Sequence, residues 1–469
     1  MQSEAYIRAG FGEAEFHNAT TLHPVGVAAL AVGVIATLAC RRTHALLPLL
    51  CICTLLPSAQ RVVVLGLDFS FPRLLLLALA ARATLRGEWR LGRPTRIDRA
   101  FLAWVACAGV AYVVRKGSSS ALIYKLGGSY DLLGLYWLGR NYMRSSADVR
   151  NVLRALALIS LVSAVLFSIE KTTGRNFFSV FGGPPEITNM REGRLRCQGP
   201  FAHPILAGAL WAGLVPMFVG SRALVQSTSE RLLFTIAPVA CMVIVVACSS
   251  STPLLGVLAA AGFLAMWPLR TRVPAIRGAT LAGLTVIHFV RAKPVWHLIA
   301  LAGVVGGSTG YHRYQLIDAF IRRWTEWFLV GTSSTAHWGH FLFDLANQFV
   351  KEGVEGGILT FVTFCLFLFR AFALVGRLLR SKALRPSQRF VTWGLGSSLA
   401  ALCVMFIGIS ISHSPPNLLT FLLPAICLEA LSLDARRARR RAVSAGAKAG
   451  SAMDAPAPNE TAAITVGRS

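Results

Sequence analysis

Long apolar runs, separated by short polar connections, occur along almost the whole chain. Each run predicts a helix that crosses a bilayer, because a backbone in hydrocarbon must satisfy its own hydrogen bonds. A span needs roughly 17–25 residues, so 44–57 and 71–86 are short members of the set. The predicted spans are 25–40, 44–57, 71–86, 99–114, 119–138, 150–169, 201–220, 231–248, 252–268, 277–290, 355–377, 389–412 and 416–433.

The composition agrees with this pattern. Of the 469 residues, 54% are hydrophobic and 14% are charged, and the mean hydropathy is +0.57, whereas a soluble domain is roughly 25% charged. These values exclude a water-soluble enzyme, a disordered chain and a disulfide-stapled secreted domain. Most of the ten cysteines lie in or beside apolar runs, and we interpret them as small apolar side chains. We therefore predict an all-α, polytopic integral membrane protein with about 12–13 transmembrane helices.

The distribution of the +26 net charge predicts an orientation. Basic residues cluster in alternate short connections, such as 86–99, 222–231 and 436–441, and basic short loops stay in the cytoplasm. The long loops 171–200 and 291–354 then lie outside. We predict a transmembrane helical domain over 1–434 that includes both outer loops, and a basic, then disordered, cytoplasmic tail over 435–469.

The second outer loop contains an amphipathic pattern. Apolar side chains recur at helical spacing over 314–328, and the charged side chains of this stretch fall mostly on the other side. This pattern predicts a helix on the outer membrane–water boundary, where tryptophans settle. A plain capping helix without a ligand is the alternative.

Both outer loops carry basic residues that orientation does not require. The most prominent are Arg194 and Arg196 in the first loop and Arg313 in the second. A basic pocket at the bilayer surface suits a phosphate or pyrophosphate, and the planar guanidinium binds phosphate oxygens in pairs. Attraction to anionic lipids, or simple solvation of the loops, is the alternative for any one arginine.

Three segments of these loops carry a family resemblance. They are RCQGPFAHPILA at 196–207; HRYQLI at 312–317, followed by Trp327 and Gly331; and DLANQF at 344–349, followed by EGGI at 355–358. In motif, order and spacing they resemble the O-antigen ligase/polymerase superfamily of bacterial inner-membrane glycosyltransferases. The sequence departs from the family pattern at two positions. Ile205 replaces a usual Asn, and Ala346 occupies the position where the family often has its proposed catalytic His.

The resemblance implies a function. Such proteins move a glycan from an undecaprenyl-diphosphate donor to a lipid or glycolipid acceptor outside the bacterial cytoplasmic membrane, as in lipopolysaccharide biosynthesis. They use no nucleotide sugar and no metal, so the resemblance implies no cofactor. The composition itself disfavours a nucleic-acid binder, whose basic residues would sit on a polar domain. A polymerase that uses the same donor is the near alternative.

Roles for individual residues follow from that chemistry, which needs stabilisation of the leaving diphosphate and removal of a proton from the acceptor. We assign Arg196 and Arg313 to the diphosphate, with Arg194 in support. Because alanine at 346 cannot act as a base, His340, Asp344 or His337 is the candidate base, unless the chemistry differs. Supporting positions are His203, Asn347 and Glu355.

One of these assignments has a competing interpretation, and the spacing along the chain supports another. His203 at a helix entrance is typical of a helix-end or packing histidine. Asp344 and Asn347, three residues apart, would share a helix face, and His340 would join them if the helix began early enough.

A membrane transporter or flippase for an anionic or polar solute is the alternative that is not an enzyme. We would expect such a protein to have paired charges inside the membrane, and Lys125, Asp131 and Arg370 are the candidates. Tyr130 and Asp131, together with Arg140, either face the path of the glycan or lipid or form structural pairs. His337 and His340 are spaced to bind zinc on a helix, but no third ligand at helical spacing completes the set.

Overall fold

The computed structural model describes residues 19–90, 92–301, 309–411 and 414–453. This part of the chain is predominantly helical, with two short antiparallel hairpins. The helices are α1 (Pro24–Ala39), α2 (Leu47–Leu55), α3 (Phe71–Leu85), α4 (Arg96–Lys116), α5 (Ser119–Tyr142), α6 (Ser146–Thr173), α7 (Pro204–Ser221), α8 (Thr228–Ala247), α9 (Ser251–Ala265), α10 (Val273–Val290), α11 (Leu298–Leu301), α12 (Thr309–Arg322), α13 (Trp324–Trp327), α14 (Gln348–Arg380), α15 (Pro386–Met405) and α16 (Pro415–Met453). The hairpins pair β1 (Arg61–Val64) with β2 (Leu67–Ser70) and β3 (Met190–Arg191) with β4 (Arg194–Leu195).

Every predicted apolar run coincides with one of these helices, which confirms the all-α prediction. Among the described residues, seven helices are long and apolar enough to cross a membrane. They are Arg96–Lys116, Ser146–Thr173, Pro204–Leu224, Thr228–Ala247, Val273–Val290, Gln348–Arg380 and Pro415–Ser444. Pro24–Ala39, Arg42–Leu55 and Ser251–Ala265 are shorter apolar helices.

Polar residues fix where the long helices begin and end. Helix α4 begins with a capping box, in which Thr95 and Asp98 each accept a hydrogen bond from the other's backbone N–H. It ends at Gly117, whose φ of 59° is the left-handed conformation that glycine adopts most easily. Helix α6 is capped by Ser145 and ends at Gly174 in the same conformation. Local sequence therefore sets these boundaries.

Small residues bring helices into close contact in the core. A Cβ atom at Gly394 of α15 would stand 2.4 Å from the carbonyl oxygen of Pro216 in α7, so the two backbones touch. Helix α4 packs on α14 through aromatic rings, and those of Trp104 and Phe364 lie 5.1 Å apart. Close packing of this kind drives helix association in a bilayer, where lipid tails are as apolar as leucine.

Two of the buried charges of α5 are paired. Arg140 forms ion pairs with Asp98 and Glu429, whereas Asp131 is bonded by Arg73, with Nη2 2.7 Å from Oδ2. Asp131 and Arg140 are thus each in a structural pair, although not with each other, which agrees with the second of the two interpretations of these residues.

Both long loops approach the turn between α8 and α9, and we call this end of the bundle the loop end. It comprises 56–70, 174–203, 248–250, 309–347, 406–411 and 414. Hydrogen bonds join these segments to one another or to the adjoining helix ends. Gln60 Nε2 donates to Phe181 O at 2.5 Å, Cys197 N donates to Ala247 O at 3.2 Å, and Gln348 N donates to Phe406 O at 2.9 Å.

The amphipathic stretch is helical, but it is interrupted within the predicted 314–328. Helix α12 begins earlier, at Thr309, and ends at Arg322, and a single turn, α13, follows it. Leu316, Phe320 and Trp327 are buried against the beginning of α14, and the rings of Phe320 and Trp327 stack 4.0 Å apart. The stripe therefore packs on protein along part of its length, while Trp324 remains exposed.

Helix α16 extends beyond the predicted domain boundary at 434. It continues to Met453, so the first part of the predicted tail is helical. Residues 454–469 of that tail lie outside the described residues.

Candidate functional site

The first outer loop is held in place by a buried carboxylate. Glu170, at the end of α6, accepts hydrogen bonds from the backbone N–H groups of Gln198, at 3.1 Å, and Gly199, at 2.9 Å. Gly199 has a φ of +55°, and a Cβ atom there would stand 2.5 Å from the ring of Phe167. Only glycine fits this turn, which fixes the position of the segment between Arg196 and α7.

His203 caps α7. Its Nδ1 accepts a hydrogen bond from Ile205 N at 3.1 Å, so in the neutral ring the proton is assigned to Nε2. Burial, followed by the charges of Arg196 and Arg191, lowers the pKa of His203 to about 4. His203 is therefore neutral at pH 7 and suits hydrogen-bond donation better than proton removal. The helix-end reading of this residue agrees with the geometry.

Arg313 is a buried cation at the loop end. It is only 9% exposed, and its Nη2 donates to the hydroxyl of Thr252 at 2.6 Å. No carboxylate among the described residues lies within 4.0 Å of its guanidinium. Burial lowers the pKa of Arg313, but arginine keeps its charge in proteins. A buried charge without a counter-ion is costly, so this position suits an anionic ligand.

Arg196 and Arg313 border the same short connection. The residue after Arg196 donates its backbone N–H to Ala247 at the end of α8, and Arg313 donates to Thr252 at the beginning of α9. The two arginines predicted to act together therefore approach the α8–α9 turn from the two different loops. Arg194 lies in β4 and is exposed.

The candidate residues of the second loop do not share a helix face. Helix α14 begins at Gln348 with Asn347 as its cap, so the residues before it are not helical, and the prediction of one face was wrong. Asn347 Nδ2 instead donates to Ile407 O at 3.2 Å. Asp344 lies close to His312; desolvation raises the pKa of Asp344, and His312 partly opposes this.

The two remaining histidines are exposed. His337 Nε2 lies 2.7 Å from Oε2 of Glu326, which also accepts a hydrogen bond from Trp338 Nε1 at 2.8 Å. His340 packs on Phe341, with ring centroids 4.2 Å apart. Within the described part of the chain, no group of three or more His, Cys, Asp and Glu residues could hold a metal ion.

Glu355 lies beside a break in α14. Gly357 has φ 72° and ψ −172°, which interrupts the helix. A small cavity next to the break is lined in part by Glu355, Glu352 and Lys125. Glu352 is held by Trp104 Nε1 at 2.7 Å and Gln348 Nε2 at 2.6 Å.

A larger cavity, which we call the loop-end cavity, adjoins this one and also borders Lys125. Its volume is about 660 Å³, within the roughly 300–1,000 Å³ typical of small-molecule sites. Its polar lining includes Ser58, Arg61, Asp68, Ser70, Arg73, Ser120, Tyr124, Lys125, Tyr130, Asp131, Lys351 and Ser414. The sequence marked only Lys125, Tyr130 and Asp131 among these, as polar groups inside a span, because the rest come from segments distant in the chain.

No protein-family model matches the chain, and no curated protein matches it at a significant level.

Proposed function

We propose that the chain is a multi-pass glycosyltransferase of the bacterial cytoplasmic membrane that moves a glycan from a polyprenyl-diphosphate donor to a lipid or glycolipid acceptor. In this proposal the protein is O-antigen ligase-like and acts in surface polysaccharide biosynthesis. The loop end faces the periplasm or cell exterior. Shorter apolar helices such as α1 and α9 would cross the bilayer together with the seven long ones.

Arg313 is the observation that carries the proposal. A guanidinium that is 9% exposed and has no carboxylate partner among the described residues is suited to two oxygens of a diphosphate. Arg196 borders the same α8–α9 turn, and His203 supplies a neutral Nε2–H nearby. Positive charge from two loops is thus available where the leaving group would gain negative charge.

The reaction needs only one bond exchange. The acceptor oxygen attacks the anomeric carbon, the bond from that carbon to the diphosphate oxygen breaks, and the diphosphate takes the electron pair. The acceptor proton passes to a base. Asp344 is the base that we favour among the three, because desolvation raises its pKa towards the range useful for proton transfer and because His312, the sequence neighbour of Arg313, acts on it electrostatically. All three side chains are exposed, and His337 is already paired with Glu326.

A substitution at Arg313 tests the proposal directly. With a purified polyprenyl-diphosphate-linked glycan, we expect R313A to lose transfer by about a hundredfold or more, as is typical of a lost charge-stabilising group. R322A is the matched control, because Arg322 lies on the same helix, is exposed, and pairs with Asp318. Full activity of R313A would contradict the proposed diphosphate site.

Deletion of the gene distinguishes the related functions. Unattached full-length polysaccharide chains would indicate a ligase, and single-repeat products would indicate a polymerase. A normal polysaccharide profile, together with altered uptake or export of an anionic solute, would favour the transporter alternative, for which the loop-end cavity is the relevant observation.

A further inference from the structure

The charges that line the loop-end cavity fall into two groups. Arg61 is paired with Asp68 at 2.6 Å and Arg73 with Asp131 at 2.7 Å. These two pairs are internally neutral and hold the cavity wall together. Lys125 and Lys351, the other two cations of the lining, form no such pair with a carboxylate of the described residues.

Lys125 lies between the two cavities. It is 8% exposed, and its Nζ stands 4.8 Å from the ring centroid of Tyr112. Glu352, Glu355, Lys351 and Arg115 lie within electrostatic reach of it. The two carboxylates line the smaller cavity rather than the loop-end cavity, and they partly balance the charge of Lys125.

Lys351 is the second lysine of the cavity lining. Its Nζ donates to the backbone oxygen of Ile411 at 3.1 Å, which leaves two of its three protons for other acceptors. A carbonyl oxygen does not neutralise the ammonium charge. The excess positive charge of the lining is therefore concentrated on the two lysines.

The remaining lining is typical of a sugar site. Tyr124 and Tyr130 supply aromatic rings, and Ser58, Ser120 and Ser414 supply hydroxyl groups. Ile123, Tyr124 and Leu126 also line the cavity, and each is at least half exposed. A ligand with hydroxyl groups, an apolar ring face and one negative charge matches this combination.

We infer that the loop-end cavity binds an acidic saccharide, with Lys125 and Lys351 as the pair that recognises its carboxylate or phosphate. The role of this saccharide as part of the donor or acceptor glycan rests on the proposed function, whereas its binding does not. The site is distinct from the diphosphate position, since neither Arg313 nor its partner Thr252 lines this cavity.

Binding of a simple acidic disaccharide tests the inference. The full chain in nanodiscs of phosphatidylcholine is titrated with glucuronyl-N-acetylglucosamine and, separately, with the neutral disaccharide chitobiose. We expect the acidic disaccharide to bind about tenfold more tightly, as one charge-assisted contact allows. Equal affinity for the two would overturn the inference.

Variants identify the residues. K351Q and K125Q should each remove the preference for the acidic disaccharide, while K293Q, an exposed lysine of the second loop outside the cavity lining, should retain it. If buried K125Q fails to fold, K351Q decides alone. A K351Q protein that keeps the full preference would contradict the assignment.

Two further measurements complete the test. One distinguishes a lipid headgroup from a saccharide as the ligand, and the other distinguishes this inference from the proposed function. In the first, phosphatidylglycerol is added to the nanodiscs. If it abolishes disaccharide binding, and if wild type retains this lipid but K351Q does not, the cavity is a lipid headgroup site and the saccharide assignment is wrong. R313A should lose transfer and keep disaccharide binding. Binding without transfer in wild type would count against the proposed function alone.

Discussion

Gly408 lies directly against the guanidinium of Arg313: a Cβ atom at position 408 would stand 2.6 Å from Cζ and 2.7 Å from Nε. A side chain at position 408 would therefore require the guanidinium to move. The connection between α15 and α16 therefore fixes where the charge of Arg313 is presented.

A methyl group at Gly408 should displace this charge. We expect G408A to lower glycan transfer by about tenfold, since an error of about 1 Å in a positioned group is costly in catalysis, while the chain still folds. The measurement is the transfer rate alongside the thermal unfolding midpoint. G262A is the matched control, because a Cβ atom at Gly262 meets no atom within 4 Å. Unchanged transfer in G408A would show that the guanidinium position is unimportant.

Gly357 should be irreplaceable for a different reason. Its φ of 72° is strained for other residues, and a Cβ atom there would stand 2.3 Å from the carbonyl oxygen of Leu329. We expect G357A to destabilise the protein by about 1–3 kcal/mol, measured as a lower unfolding midpoint in detergent. G283A, at an open position inside α10, should not lower the midpoint, since alanine favours a helix more than glycine does. An equal midpoint for G357A and wild type would contradict this account of the break in α14.

His203 should make stability depend on pH. Its pKa in the folded state, about 4, lies below the ordinary 6.5, so the folded chain binds fewer protons than the unfolded chain over this interval. Stability contributed by neutral His203 is present above pH 6.5 and lost as the pH falls towards 4.

Two substitutions isolate this effect. H203N keeps a capping side chain and should weaken the pH dependence between 6.5 and 4. H203A should lose about 1 kcal/mol of stability at pH 7, because the N-terminus of α7 loses its cap. The measurement is the unfolding midpoint as a function of pH. A wild-type curve parallel to that of H203N would contradict the prediction.

The hydrogen bonds of Glu326 should hold α13 to Trp338 and His337 of the following loop even at low pH. Hydrogen bonds from Trp338 and then Arg323 and His337 lower the pKa of Glu326 to about 2. Its contribution is therefore complete above its ordinary pKa of 4.5 and lost as the pH falls from 4.5 towards 2.

E326Q should loosen this link at neutral pH. We expect faster amide exchange over 324–338 in E326Q, because Trp338 and His337 lose a charged acceptor. E192Q, at an exposed glutamate of the first outer loop, is the control. Identical exchange in E326Q and wild type would show that the bonds to Glu326 do not hold the segment.

The helices could be predicted because their signals are local. An apolar run such as 150–169 identifies α6, and Ser145 and Gly174 then set its ends. The stretch 340–347 was misread because its polar residues have helical spacing, yet Asn347 caps the helix that begins after it. Its side chain then reaches Ile407, a contact that spacing along the chain does not reveal.

The sequence by itself determined a helical membrane chain, its capped helix ends and the basic residues of its outer loops, because backbone hydrogen bonding and hydrophobic periodicity act over a few residues. Only the tertiary structure decided which charges meet. Arg313 reaches Thr252, Asp131 pairs with Arg73 rather than Arg140, and Lys125 and Lys351 border one cavity. Coulombic pairing and close packing depend on distance in space, and these partners come from helices far apart in the chain.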